Sequence, residues 1–209
     1  MLELEKYVLE HTEKEDEILK ELNRQTHLNQ LNSRMISGHL QGKLLEMFSK
    51  MIKPKRILEI GTFTAYSAIC MAKALKKDGK LHTIEVNDEL EDFIKTYIKK
   101  SNLEDKIILH IGDANKILPN LNEIFDLIFI DAEKTEYLNY YKLIFDKLRK
   151  GGFIIADNVL WNGKVINKIN NKDKKTQAIA EFNNFVHNDK RVMNLILPFR
   201  DGLMILQKK

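Results

Sequence analysis

The sequence alternates short apolar runs with longer segments in which apolar residues recur at helical spacing. The helical segments cover 66–75, 88–100 and 140–148, and they lie among five apolar runs: RILEIG, LHTIEV, KIILHIG, FDLIFID and GGFIIAD. Strands that alternate with crossover helices form a parallel sheet covered on both faces, with right-handed connections. The pattern therefore predicts a Rossmann-like, doubly wound α/β fold.

The flanking segments complete the predicted architecture. Amphipathic helices over 3–31, and a further helical pattern that stops before Pro54, predict a helical N-terminal part at 1–52. The segments VMNLILP and LMILQKK around the turn FRDG predict an antiparallel hairpin at one sheet edge. For 209 residues we expect a single domain, with a core at 53–209 and a seven-stranded, mostly parallel sheet.

Composition narrows the compartment and the class of partner. No apolar run approaches the roughly 18 residues of a membrane span, and the N-terminus lacks the order of a signal peptide. The single cysteine, Cys70, cannot form an internal disulfide, so we expect a cytoplasmic protein without membrane contact. The net charge of +4 is spread along the chain, which leaves nucleic-acid binding possible without indicating it.

Polar residues at the ends of the first three runs suggest a nucleoside site. The first run continues into a turn with a single glycine, Gly61, and the bulky Phe63 and Tyr66 would block the approach of a pyrophosphate. Glu85 ends the second run, where a carboxylate can bind ribose hydroxyls, and Asp113 follows the third, where it can bind an adenine edge. Each acid alone is equally consistent with a solvated helix cap.

Polar residues after the fourth and fifth runs suggest a metal site. Asp131 and the pair Asp157 and Asn158 should lie on neighbouring strands, about 4.8 Å apart. Three oxygen ligands suit a hard cation such as Mg²⁺, Mn²⁺ or Ca²⁺ and leave positions open for water and substrate. The alternative for these residues is a helix cap and an ordinary turn.

These motifs resemble those of the small cation-dependent O-methyltransferases, the catechol and caffeoyl-coenzyme A family and its bacterial relatives. LEIGTFTAYSA, IEVN, GDA, FIDAEKTEY, LRKGG and ADNVLW follow one another in the family's order. The resemblance begins near Met35. It implies that S-adenosylmethionine is bound by Met35, Ser37, Glu59, Gly61, Ser67, Glu85, Asp113, Ala114 and Asp131.

The same resemblance implies the reaction. A divalent cation bound by Asp131, Asp157 and Asn158 would position a hydroxyl of a small vicinal-diol aromatic, of catechol or hydroxycinnamate type, and Lys134 would act as general base. Tyr137 and Trp161 are candidates to wall the aromatic acceptor, with ordinary packing as the alternative.

Three further expectations concern the substrate and the assembly. The polar segment 162–177 predicts a mobile surface loop, followed by a helix, and we expect it to influence substrate choice. The family resemblance leaves open a 5-hydroxyuridine of transfer RNA as acceptor, because some bacterial relatives methylate such a base. The basic residues of the loop could contact its phosphates: Lys164, Lys168, Lys172, Lys174 and Lys175. A non-catalytic nucleoside-binding regulatory protein is the alternative of another class. Family resemblance implies a homodimer formed through the N-terminal helices.

Overall fold

A computed structural model describes residues 2–167, 170 and 172–209. It contains one seven-stranded sheet with the order β3-β2-β1-β4-β5-β7-β6. The strands are β1 (Arg56–Ile60), β2 (Lys80–Glu85), β3 (Ile107–Ile111), β4 (Phe125–Ile130), β5 (Leu148–Ala156), β6 (Val192–Leu197) and β7 (Leu203–Lys208). The five predicted runs and both strands of the predicted hairpin are present, which confirms the fold class.

Strands β1 to β5 are parallel, so their carboxyl ends share one edge of the sheet. The chain builds β1, β2 and β3 outward in one direction and then returns to place β4 on the other side of β1. This reversal between β1 and β4 opens a crevice beyond their carboxyl ends, which is where open α/β sheets bind ligands.

The last two strands lie antiparallel to the others. β7 pairs with β5 from Phe153 with Gln207 to Ala156 with Met204, and β6 pairs with no described strand other than β7. The hairpin is therefore at the predicted edge, with its second strand on the inner side. The turn between β6 and β7 lies at the same edge of the sheet as the end of β5, because the strands run in opposite directions.

The helices are α1 (Leu2–Glu10), α2 (Glu17–Asn29), α3 (Gly38–Ile52), α4 (Tyr66–Ala72), α5 (Glu91–Lys100), α6 (Ala114–Ile117), α7 (Tyr137–Ile144) and α8 (Lys174–Asn188). The predicted loop at 162–177 has different limits. A short 3₁₀ segment covers Trp161–Ile166, and α8 starts at Lys174 because the Asp173 carboxylate caps it through the amide of Thr176. Lys168 lies outside the described residues.

Apolar side chains are buried on both faces of the sheet. One cluster joins α2, α3, α4 and α5 to the sheet, and the other joins α7 and α8 to the opposite face. In β4, Leu127 and Phe129 belong to one cluster and Ile128 and Ile130 to the other, and all four are fully buried. This is expected for a central parallel strand. No helix in the described ranges is long and apolar enough to cross a lipid bilayer.

Candidate active site

The ends of β1 and β4 approach each other so closely that only glycine fits at Gly61. This residue has a φ of +101°, and a Cβ atom there would lie 2.1 Å from the carbonyl oxygen of Asp131. The amide of Asp131 in turn donates a hydrogen bond to the carbonyl of Ile60 at 2.9 Å. The predicted cofactor turn and the predicted metal ligand are thus in direct contact through their backbones.

Glu59 lies behind this turn rather than on its surface. Its carboxylate is completely buried and accepts hydrogen bonds from Ser67 Oγ at 2.5 Å and Thr83 Oγ1 at 2.6 Å. The hydroxyl of Thr62 lies 2.5 Å from that of Thr83 and extends the chain. Burial raises the pKa of Glu59 to about 8, although the two hydrogen bonds oppose the rise. In this structure Glu59 and Ser67 shape the turn from within.

Glu85 and Asp113 hold the loops at the next two strand ends. The Glu85 carboxylate accepts hydrogen bonds from the amides of Phe63 at 2.7 Å and Asn87 at 2.9 Å. Asp113 caps α6 through the amide of Asn115 at 2.9 Å. Asp113 therefore acts as a helix cap, as the alternative interpretation predicted. One carboxylate oxygen makes this contact, and the other can still accept a hydrogen bond from a ligand.

The N-terminal part contributes the remaining predicted cofactor residues. Met35 ends a 3₁₀ turn with 56% of its surface exposed, whereas Ser37 is buried where α3 begins. Ala114 is buried at the start of α6. The predicted cofactor residues thus occur at the entry to α3 and at the ends of β1, β2, β3 and β4, with Ser67 in α4.

Asp131 and Asp157 immediately follow paired residues of neighbouring strands. Ile130 pairs with Ala156, and the amide of Asp157 donates to the carbonyl of Ile130 at 2.9 Å. Asn158 is next in the chain with a φ of +59°, a left-handed conformation that asparagine tolerates better than most residues. The three predicted metal ligands are therefore adjacent at the carboxyl edge of the sheet.

The charges of this cluster favour a cation. Burial, helped by the charge of Asp131, raises the pKa of Asp157 to about 6, while the Gln41 hydrogen bond and the charge of Lys134 oppose the rise. No group of three or more His, Cys, Asp and Glu side chains with metal-binding geometry occurs among the described residues. The predicted set has two carboxylates, with the amide oxygen of Asn158 as its third protein ligand, and such an all-oxygen set fits Mg²⁺, Mn²⁺ or Ca²⁺.

Lys134 is fixed beside these ligands. Its ammonium group lies 2.8 Å from Asp131 Oδ1 and 2.7 Å from the hydroxyl of Tyr137, and only 8% of the residue is exposed. The Tyr137 hydroxyl also lies 3.1 Å from the carbonyl oxygen of Asp157. The amine thus has two of its three hydrogen-bond directions committed, which leaves one for a substrate.

Tyr137 shows the ordinary packing that was the alternative to an acceptor wall. Its ring is completely buried and packs edge-on against Phe182, with the ring centroids 5.6 Å apart. The Tyr137 ring is thus part of the core, while its hydroxyl contacts Lys134. Trp161 lies three residues after Asn158. It is partly exposed and has a left-handed φ of +49°.

Two residues at this site were not predicted from the sequence. Gln41 Nε2 donates to Asp157 Oδ2 at 2.6 Å, and Arg200 Nη1 donates to Gln41 Oε1 at 2.6 Å. Gln41 lies one turn into α3 and Arg200 in the β6–β7 turn, so neither follows a parallel strand. One signal was present: Gln41 is four residues after Ser37, on the same face of a predicted helix.

Comparison with known proteins gives concordant results. A family model described as O-methyltransferase matches residues 9–209. The chain is 35% identical to caffeoyl-CoA O-methyltransferase of Eucalyptus gunnii over 98% of this chain and 87% of that protein.

Two solved structures share the whole architecture. An O-methyltransferase from Bacillus cereus in complex with S-adenosylhomocysteine has a TM-score of 0.93 at 29% identity, covering 99% of this chain and 97% of that one. The O-methyltransferase TomG from Streptomyces achromogenes, in complex with S-adenosylmethionine, has a TM-score of 0.92 at 27% identity, covering 99% and 96%. The chain therefore belongs to the O-methyltransferase family and is an S-adenosylmethionine-dependent enzyme.

Proposed function

We propose that the enzyme transfers the methyl group of S-adenosylmethionine to one hydroxyl of a small aromatic vicinal diol, with a divalent cation bound by Asp131, Asp157 and Asn158. The observation that carries the proposal is the 2.8 Å contact of Lys134 with Asp131, at a sheet edge where strand pairing also brings Asp157 and Asn158. Relatives named as caffeoyl-CoA O-methyltransferases support the diol, because a caffeoyl group has two adjacent hydroxyls. The proposal includes a cytoplasmic homodimer.

The chain's own residues would bring the two substrates together. The turn at Gly61 touches Asp131, so a donor bound on the β1 side lies next to an acceptor bound at the β4 and β5 ends. When bound, the cation would lower the pKa of an acceptor hydroxyl and fix its position.

As general base, Lys134 Nζ would take the proton of the acceptor hydroxyl when the methyl group is transferred. Tyr137 orients the amine for this step: burial holds the pKa of the phenol well above its usual range, so the hydroxyl stays protonated while it contacts Lys134. A fixed amine beside the metal ligands satisfies the geometric requirement for a general base.

Cofactor-side residues would act mainly through the shape of the turn. Glu59 and Ser67 would maintain the loop from behind, while Gly61, Glu85, Asp113 and Ala114 would face the donor. Met35 and Ser37 would cover its methionine end, and Trp161 would contact the acceptor at the rim.

The two alternatives from the sequence have weaker support. Lys164 lies 3.4 Å from Asp173 and Lys175 lies 3.1 Å from Glu133, so these two lysines of the proposed RNA contact already have acidic partners. Membership of an enzyme family disfavours a purely regulatory role.

The test measures S-adenosylhomocysteine formation with caffeate, with caffeoyl-CoA and with p-coumarate, which lacks the second hydroxyl. We expect turnover of the first two in Mg²⁺, none in EDTA, and none of p-coumarate. Asp157→Ala should abolish turnover, Lys134→Arg should reduce it by about 10²–10⁴-fold, and the exposed control Asp105→Asn should match wild type.

Each other outcome identifies what is wrong. Turnover in EDTA refutes the metal, and equal turnover of p-coumarate refutes the diol. Methylation of transfer RNA alone, with steep salt dependence, would establish the RNA alternative. Donor binding without methylation of any of these acceptors would favour the regulatory alternative.

A further inference from the structure

The turn between β6 and β7, residues 198–202, lies against the segment that carries the proposed metal ligands. The amides of Val159 and Leu160 donate to the carbonyls of Gly202 at 3.1 Å and Asp201 at 2.9 Å. Gly202 has a φ of +87°, and a Cβ there would lie 2.4 Å from Leu160 Cγ. The turn therefore supports the backbone directly after Asn158.

Arg200 extends this support to Asp157 itself. Its guanidinium donates to the carbonyl of Ser37 and to Gln41 Oε1, and Gln41 Nε2 donates to Asp157 Oδ2. Gln41 is 1% exposed, its hydrogen bond to Asp157 is buried, and its hydrogen bond from Arg200 is partly buried. The three side chains make a continuous connection from the turn, through α3, to the carboxylate.

The chemistry of the three groups fixes the direction of the Gln41 amide. A guanidinium can only donate and an ionised carboxylate can only accept, so the amide oxygen must face Arg200 and its NH₂ must face Asp157. This arrangement holds Asp157 Oδ2, while the amide of Asn158 holds Oδ1 at 2.7 Å. Both oxygens are thereby oriented before any cation binds.

Arg200 itself has an unfavourable backbone conformation. Its φ is +51°, in the left-handed region where glycine is preferred. Arg200 is exposed, so burial of its side chain does not explain why an arginine stands at this position of the turn. Its hydrogen bonds to Ser37 and Gln41 are the contacts that a glycine would lack.

We infer that Gln41 and Arg200 are positioning residues that preorganise Asp157 for the divalent cation and couple it to the α3 entry at Ser37. The inference rests on the proposed function, since it concerns the affinity of the metal site proposed there. Hydrogen-bond partners of metal ligands typically change metal affinity about 10–100-fold when they are removed.

The test measures Mn²⁺ binding by the free protein, from the electron paramagnetic resonance signal of unbound Mn²⁺, together with the melting temperature in EDTA. Gln41→Met keeps the side-chain length and removes both hydrogen bonds. We expect its Kd for Mn²⁺ to rise about 10–100-fold. Arg200→Lys should retain more affinity than Arg200→Gly, because it keeps a cationic donor.

Arg200→Gly separates positioning from stability. Glycine relieves the backbone, so the melting temperature should stay equal or rise while the Mn²⁺ affinity falls. Arg149→Ala is the matched control: Arg149 pairs with Asp126 at the opposite end of the sheet and should leave Mn²⁺ binding unchanged.

The outcomes distinguish this inference from the proposed function. Wild-type Mn²⁺ affinity in both Gln41→Met and Arg200→Gly would overturn the inference and leave the metal site intact. If the wild-type protein binds no Mn²⁺, or binds it equally after Asp157→Ala, the proposed metal site fails and the inference fails with it. A parallel loss of stability and affinity in Arg200→Gly would also overturn it, since that is the behaviour of a merely structural residue.

Discussion

Replacing Gly61 with alanine should destabilise the enzyme strongly, because the new methyl group has no space. The added Cβ would lie 2.1 Å from the carbonyl oxygen of Asp131 and 2.7 Å from its carbonyl carbon. These are backbone atoms, so relief requires β1 and β4 to separate where they are hydrogen-bonded. A positive φ costs an L-residue about 1–2 kcal/mol and overpacking costs about 1–3 kcal/mol.

The two costs together predict a loss of about 2–5 kcal/mol in the free energy of unfolding. Urea denaturation without ligands measures this loss directly. Gly163→Ala is the matched control, because Gly163 has a φ of +72° and no described atom within 4 Å of its Cβ position. The control should lose about 1–2 kcal/mol. Equal losses in the two variants would refute the close approach of the two strand ends.

Three further predictions concern the base, the buried acid and the assembly. Tyr137→Phe removes the hydroxyl that contacts Lys134, so kcat should fall. The Kd for S-adenosylmethionine, measured by calorimetry, should stay unchanged. An unaltered kcat would contradict the orienting role. The pKa of Glu59 is about 8 in the folded protein against 4.5 in the unfolded chain, so its contribution to stability is lost as the pH rises from 4.5 to 8. Over this range the free energy of unfolding of wild type should fall relative to that of Glu59→Gln. A constant difference between the two proteins would contradict this. Leu4 and Tyr7 on α1 are 68% and 58% exposed. The double variant Leu4→Glu, Tyr7→Glu should sediment as a monomer where wild type sediments as a dimer. An unchanged mass would argue against α1 as part of the interface.

Sequence reasoning located the strand ends well because each apolar run stops abruptly at a polar residue. Asp131 and Asp157 follow such runs, and a parallel sheet necessarily brings the ends of adjacent strands together. The order of the strands and the pairing of β5 with β7 depend on tertiary packing, which no local pattern encodes.

The features that the sequence left open have specific physical reasons. The three-residue spacing from Lys134 correctly implies that Tyr137 is near, but spacing alone does not tell whether a ring faces the pocket or the core; contact with Phe182 decides for the core. Gln41 is 116 residues from Asp157 in sequence, and glutamine has no preference for such a place. The start of α8 was missed because its first residues are lysines, which are typical of solvated loops as well as helices.

The arrangement of the hairpin has a consequence for synthesis on the ribosome. β6 is made before β7, yet β7 is its single partner among the described strands and also separates it from β5. During translation β6 therefore has no strand to join, and the edge of β5 stays open, until residues 203–208 have left the exit tunnel. Exposed strand edges of this kind promote aggregation of nascent chains. We therefore expect the nascent chain to be most prone to aggregation in the interval before β7 emerges.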